Sequence, residues 1–246
     1  MLVAPINKIV MSSSYLPLND KIYEYMLEHC SDADEPVLAE LRLETQRLGD
    51  VSEMAISPDE CNLLGLLTTL IGARYAVEVG TFTGSSSISI ARGLQPGGKL
   101  TCFDQDFRWT SIARRYWFKA GLQDRIDLRL GDAHQLLGRF RPQGPLDLVF
   151  IDADKEAYDF YFETLVPYVR TGGLILFDNM LRGGEVVDPV QKNTATNRAI
   201  DQLNRKLATD SRVQSVLIPI ADGLVVCRKL YVPGIDGRRL TDSRLL

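Results

Sequence analysis

Five short apolar runs rich in β-branched and aromatic residues punctuate the middle of the chain: "YAVEV" (75–79), "KLTCF" (99–103), "RIDLRL" (125–130), "LDLVFI" (146–151) and "GLILF" (173–177). Between them lie segments of helical character such as "SSSISIARGL" (85–94) and "RWTSIARRYWFKAG" (108–121). This alternation confines the chain to an α/β architecture, with parallel strands in one sheet and crossover helices on both faces. The ending differs: "RVQSVLIPI", the turn "ADG" and "LVVCRK" predict a hairpin, which adds an antiparallel strand to the sheet. Ahead of the sheet, helical periodicity covers 19–30 and 35–49. A third helix starts at Ser57, with Pro58 in its first turn and Glu60 placed to complete a capping box. These leading helices read as a cap on the sheet that covers a ligand.

With 246 residues, 45% hydrophobic and 24% charged, the chain suits one substantial core. The expected organisation is a single domain: a helical cap over about 1–57, an α/β core over about 58–230 and a tail over 231–246. A net charge of −4, with no long basic run beyond the short "GRR" near the C-terminus, argues against a nucleic-acid footprint and for a small-molecule partner. No apolar run approaches the ~20 residues of a membrane span, and Pro5 and Asn7 interrupt the opening segment too early for a signal peptide, so a cytoplasmic protein is expected. Cys30, Cys61, Cys102 and Cys227 lack paired spacing and read as reduced core thiols. The two histidines, His29 and His134, sit in no nucleophile motif, so a histidine-dependent triad or a histidine-rich metal site is not expected.

Two strands end in acids. "VFIDADKEAY" leaves its apolar run at Asp152, Asp154 and Lys155, and "GGLILFDNM" stops at Asp178 and Asn179. A strand reaching water also carries charge, but in an open α/β sheet ligands bind beyond the carboxyl ends of the strands, and two acidic ends on one edge suggest a site. The first strand leads into "EVGTFTGSSS", whose Gly80 and Gly84 let the backbone turn into a helix and approach a ligand closely. Asp104 ends the next strand, where a carboxylate can accept both hydroxyls of a ribose. The loop spacing is E-x-G-x-x-x-G rather than G-x-G-x-x-G, and Glu78 inside the turn disfavours a pyrophosphate. A nucleoside with a diol, no phosphates and a cationic substituent fits, and S-adenosylmethionine is such a molecule.

These residues together, Glu78-Val-Gly80-Thr-Phe-Thr-Gly84, "FIDADKEAY" and "FDNML", resemble the cation-dependent O-methyltransferases of the caffeoyl-CoA and catechol type over residues from about 19 to 230. The resemblance implies a Rossmann-like class I methyltransferase fold, a seven-stranded, mostly parallel sheet with an antiparallel last strand. It also implies Glu78, Gly80 and Thr81 at the methionine end of S-adenosylmethionine, Ser86 at its carboxylate, Asp104 on the ribose, and Asp132 and Ala133 beside the adenine. Met54 and Ile56 match the segment that folds over the cofactor, His134 falls next to the adenine position, and Asp152 and Asp154 face the cofactor or acceptor. One departure is visible: plant caffeoyl-CoA enzymes carry a tryptophan shortly after the "DN" pair, where this chain has Arg182. A homodimer is the assembly common in that family.

Asp152, Asp178 and Asn179 offer hard oxygen donors suited to Mg²⁺, Mn²⁺ or Ca²⁺ rather than zinc. Three protein donors leave positions for the two hydroxyls of a vicinal aromatic diol. Lys155, three residues after Asp152, is the candidate base, since a desolvated lysine near a cation can give up its proton more readily. The expected function is methyl transfer from S-adenosylmethionine to one hydroxyl of such a diol. The rivals are a nucleotide-dependent oxidoreductase, a phosphotransferase using an aspartyl nucleophile, and an inactive cofactor-binding dimerisation module.

Overall fold

The computed structural model describes residues 16–31 and 35–233; the opening segment with Pro5 and Asn7 and the tail beyond 233 lie outside the described residues. Three helices, α1 (Asp20–Glu28), α2 (Pro36–Gln46) and α3 (Pro58–Leu70), precede strand β1 (Tyr75–Val79). Then follow α4 (Ser85–Gly93), β2 (Lys99–Asp104), α5 (Phe107–Lys119), β3 (Ile126–Leu130), α6 (Ala133–Arg139), β4 (Leu146–Ile151), α7 (Tyr158–Leu165), β5 (Val169–Phe177), α8 (Ala195–Thr209), β6 (Val213–Ile218) and β7 (Leu224–Lys229).

The strands form one seven-stranded sheet in the order β3-β2-β1-β4-β5-β7-β6. Strand β7 pairs antiparallel with both β5 and β6, whereas the pairs from β3 to β5 are parallel. The hairpin and the single reversed strand are as the sequence predicts.

Strand β4 shows why the sheet must be covered on both faces. Leu148, Val149, Phe150 and Ile151 are all 0% exposed, and burying each contributes about 1.5–3 kcal/mol. Successive side chains point to opposite faces, so Val149 and Ile151 join the core under α7 and α8, while Leu148 and Phe150 join the core under α2, α3, α4 and α5. The one acid in the strand, Asp147, is satisfied by the N–H groups of Arg74 and Tyr75 at 2.7 and 2.8 Å and by Arg170, which ties β4 to the start of β1.

Some local expectations are corrected. The second helix ends at Gln46 rather than 49, because Gly49 adopts φ +75° and the chain continues as a 3₁₀ turn over Gly49–Met54. Ser57 does cap α3, accepting the Glu60 N–H at 3.4 Å, but the Glu60 side chain does not reach back to close a capping box. Strand β5 starts at Val169, earlier than "GLILF", past a register shift against β4. Cys61, Cys102 and Cys227 are buried free thiols, whereas Cys30 is only half-buried, since it follows α1, a helix with no buried residue.

The sheet order reverses between β1 and β4: β1 leads into α4 on one face and β4 leads into α7 on the other. That switch point is where an open α/β sheet leaves a crevice. The two strand ends meet there at Gly80, which sits at φ +90°; a Cβ on it would lie 2.1 Å from the Asp152 carbonyl oxygen. Gly80→Ala is therefore expected to cost at least about 2 kcal/mol, combining a left-handed backbone penalty with an overlap that only separation of the strand ends relieves. Urea unfolding checks this, and a loss under about 0.5 kcal/mol, the range of an indifferent surface change, contradicts it.

Candidate active site

A cavity of about 1210 Å³ opens at the carboxyl ends of β1, β2, β4 and β5. Sites for a single small ligand run to roughly 300–1,000 Å³, so this one can hold a cofactor and a second small molecule together. Its lining includes Met54, Ile56, Gly80, Thr81, Ser86, Asp104, Asp132, Ala133, His134, Asp152, Asp154, Lys155, Asp178 and Asn179, residues the sequence reading had gathered from six separate segments.

Glu78 stands apart from that set. It is 0% exposed beneath the glycine loop, where its Oε2 accepts the Thr81 hydroxyl at 2.9 Å while Oε1 has no partner. Burial pushes its carboxyl up to about 7, with the surrounding hydroxyls pulling the other way. The loop above it is held by Asp104, whose Oδ2 accepts the N–H groups of Thr81 and Phe82, each at 2.9 Å, and whose Oδ1 accepts that of Asp106 at 2.8 Å. Asp104 thus shapes the loop as well as facing the cavity. Helix α4 begins behind Gly84, at φ +95°, with no side chain capping it, which leaves its first N–H groups and the positive end of its dipole toward the cavity at Ser86. Across the mouth, Asp132 caps α6 through the His134 N–H at 2.8 Å, and the His134 ring stacks on Phe160 with centroids 4.3 Å apart.

The other end of the cavity is dominated by acids. Asp152 accepts Lys155 Nζ at 2.7 Å, and the two side chains are only 14% and 16% exposed. Burial raises Asp152 even against that lysine. Asp178 is raised by burial and then by the Asp152 charge, and its Oδ1 accepts the Asn179 N–H at 2.5 Å. Asp154 is turned away from this pair, accepting the Tyr161 hydroxyl at 2.5 Å and lying 4.0 Å from His134.

Glu60 is the residue that sequence reasoning misplaced. It is 0% exposed, lines the cavity, and neither carboxylate oxygen has a hydrogen-bond partner among the described residues. Burial, then the charges of Asp178 and Asp152, drive its carboxyl well above the usual range. The capping-box pattern masked it: an acid at that position can turn back to the helix end or forward into the sheet, and nothing local decides between them.

Among the described residues, no group of three or more His, Cys, Asp or Glu side chains is arranged as a ready cation cage. The donor chemistry nevertheless suits a hard divalent ion. Asp178 is a buried carboxylate raised further by the Asp152 charge, Lys155 pairs with Asp152 as the neutralising cation, and Asn179 adds a neutral oxygen to the same lining.

Backbone strain collects at this cavity too. Among the described residues the non-glycines at positive φ are Phe82 (49°), Asn179 (57°), Arg182 (51°) and Ala221 (46°), and all of them line it. Such conformations persist where surrounding structure over-determines them, a pattern typical of ligand sites.

Comparison with known proteins identifies the family. The O-methyltransferase family profile matches residues 27–230. A caffeoyl-CoA O-methyltransferase of Eucalyptus gunnii is 35% identical over 223 residues, covering 87% of this chain and 89% of that one. Among solved structures, the O-methyltransferase TomG of Streptomyces achromogenes, in complex with SAM, superposes with TM-score 0.77 at 28% identity over 86% of this chain and 96% of its own. An O-methyltransferase of Bacillus cereus in complex with SAH gives TM-score 0.76 at 29% identity, over 85% and 97%. Neither an oxidoreductase nor a phosphotransferase accounts for these matches; the chain belongs to the O-methyltransferase family, among enzymes of the caffeoyl-CoA type.

Proposed function

We propose that this protein transfers a methyl group from S-adenosylmethionine to one hydroxyl of a vicinal aromatic diol, assisted by a divalent ion, Mg²⁺ or alternatively Mn²⁺ or Ca²⁺. The observation that carries this reading is the division of one cavity into two ends. At one end lie the glycine loop, Asp104, Asp132 and the open N-terminus of α4; at the other lie Asp152, Asp178, Asn179 and Lys155.

On this reading the α4 N–H groups near Ser86 take the cofactor's carboxylate. Gly80 and Thr81 lie along its methionine portion, with the buried Glu78 charge below favouring its cationic groups. Asp104 accepts the ribose hydroxyls, Asp132 and Ala133 border the adenine, and Met54 and Ile56 close over it. SAM and SAH in the related solved structures support this placement. Asp152, Asp178 and Asn179 would hold the divalent ion, which when bound orients an oxygen acceptor and stabilises its anion.

Forming a phenolate from a group with pKa about 10 costs roughly 4 kcal/mol at pH 7, so a positioned base is useful. Lys155 Nζ stands at that end, 2.7 Å from Asp152, and as the free amine it takes the acceptor's proton. The phenolate oxygen then attacks the methyl carbon, the carbon–sulfur bond breaks, and its electron pair stays on sulfur, giving neutral S-adenosylhomocysteine and the methyl ether. Asp154, held by Tyr161, keeps to the cofactor side. As parts of the same reading, the enzyme works in the cytoplasm, where buried thiols such as Cys102 remain reduced, and as the homodimer that the family resemblance implies.

Turnover of a catechol is expected to vanish in excess EDTA and to return to different extents with Mg²⁺, Mn²⁺ or Ca²⁺, because hard-oxygen sites discriminate by geometry. Full activity in EDTA contradicts the metal assignment. Lys155→Ala is expected to keep cofactor affinity while turnover falls roughly 10²- to 10⁴-fold, with partial recovery at high pH as solvent hydroxide replaces the base. Single-turnover rates across pH check this; a wild-type rate at neutral pH makes Lys155 a bystander.

A further inference from the structure

Lys155 and Arg182 are the cationic side chains that line the cavity among the described residues. Lys155 is engaged by Asp152. Arg182 is different: its side chain takes part in no hydrogen bond or ion pair among the described residues, and its Nε lies sealed from solvent without a partner. A guanidinium nitrogen left unpaired and dry costs free energy unless something else fills the geometry.

The backbone presenting this side chain is strained and firmly held. Arg182, Gly183 and Gly184 follow one another at φ 51°, 58° and 88°. The segment is fastened to the β6–β7 turn, with the Met180 and Leu181 N–H groups donating to the carbonyls of Gly223 and Asp222, each at 2.8 Å. Gly223 admits no side chain, since a Cβ there would lie 2.5 Å from Leu181 Cγ. Asp222 lines the same cavity, yet its carboxylate accepts the Gly183 N–H and makes no ion pair with Arg182. The Tyr158 hydroxyl donates to the Asp178 carbonyl at 3.2 Å, and its ring lies 5.2 Å from Lys155 Nζ. Arg182 follows Asn179 by three residues at the exit of β5 and lines the same cavity, which puts it at the acceptor end.

We propose that Arg182 recognises a carboxylate on the methyl acceptor, so that the preferred substrate is an acidic aromatic diol rather than a neutral one. This rests on the diol reading above and narrows it. A planar guanidinium matches a carboxylate with two parallel hydrogen bonds, and a side-chain rotation that brings this fork into the cavity would satisfy the Nε–H that the protein leaves unpaired.

The test compares 3,4-dihydroxybenzoate with its uncharged amide, titrated calorimetrically into enzyme loaded with S-adenosylhomocysteine and Mg²⁺. The wild type is expected to bind the acid about 10- to 100-fold more tightly than the amide, the range of a charged hydrogen-bonded pair. Arg182→Gln should erase that preference and Arg182→Lys should retain part of it. All three proteins carry a non-glycine side chain at the same left-handed position, so the comparison isolates the charge and its fork. Equal affinities in the wild type, no binding of the acid, or a preference that survives in Arg182→Gln overturns the inference. Methyl transfer to both compounds, measured in parallel, separates the two claims. Transfer without acid preference removes the Arg182 role alone; Arg182-dependent acid binding without transfer to either compound removes the diol reading and leaves the anion site standing.

Discussion

Everything at the functional end of this molecule depends on carboxylates held where water cannot solvate them. Glu60 and Asp178 are buried, and Asp152 largely so, around one end of a cavity with Lys155 as the cation that pairs directly, and each is shifted toward its protonated form. Removing a charge from water costs several kcal/mol unless opposite charge or hydrogen bonds replace the solvent. A fold selected for stability alone would fill such a place with apolar side chains, as it does two residues earlier along β4, where Phe150 is completely buried. Acids held this way at adjacent strand ends are what motivates the proposed divalent ion.

The scaffold keeps them there by geometry that tolerates little change. Strands β1 and β4 converge at the sheet's reversal, and Gly80 lets the glycine loop pass within contact of the Asp152 backbone. From that crossing the two halves of the site diverge: the loop held by Asp104 and the start of α4 on one side, the Asp152–Lys155 turn on the other. Among the described residues the left-handed non-glycines Phe82, Asn179, Arg182 and Ala221 all line the cavity, so the strained backbone collects there.

Much of this was legible in the sequence, and the reason is that strongly periodic elements and strand-end residues follow local rules. "YAVEV" is β1 to the residue, the "ADG" turn does join an antiparallel pair, and Ser57 does cap its helix. What the sequence hid were choices settled by tertiary contacts. Glu60 satisfies a capping pattern in one dimension and faces the acids of two strands in three. Asp104 reads as a ribose acceptor, but its Oδ2 also holds two glycine-loop N–H groups, a task visible only once β2 lies beside β1. Arg182 was noticeable as a departure from plant relatives; its unpaired Nε depends on how the β6–β7 turn clamps residues 180–183. Cys30 looked like the other cysteines because composition does not reveal that α1 lies outside the core.

On the proposed function, Asp152, Asp178 and Asn179 form a divalent-ion site completed by a diol. Electron paramagnetic resonance of Mn²⁺ titrated into the protein tests it without reference to turnover. Wild-type protein is expected to bind a single Mn²⁺ with a spectrum that changes when a catechol is added. Asp178→Asn should weaken that binding by at least about tenfold, the lower end of what even an outer partner of a metal site contributes. Mn²⁺ binding of equal strength in Asp178→Asn, or a bound-ion spectrum indifferent to the catechol, would contradict it.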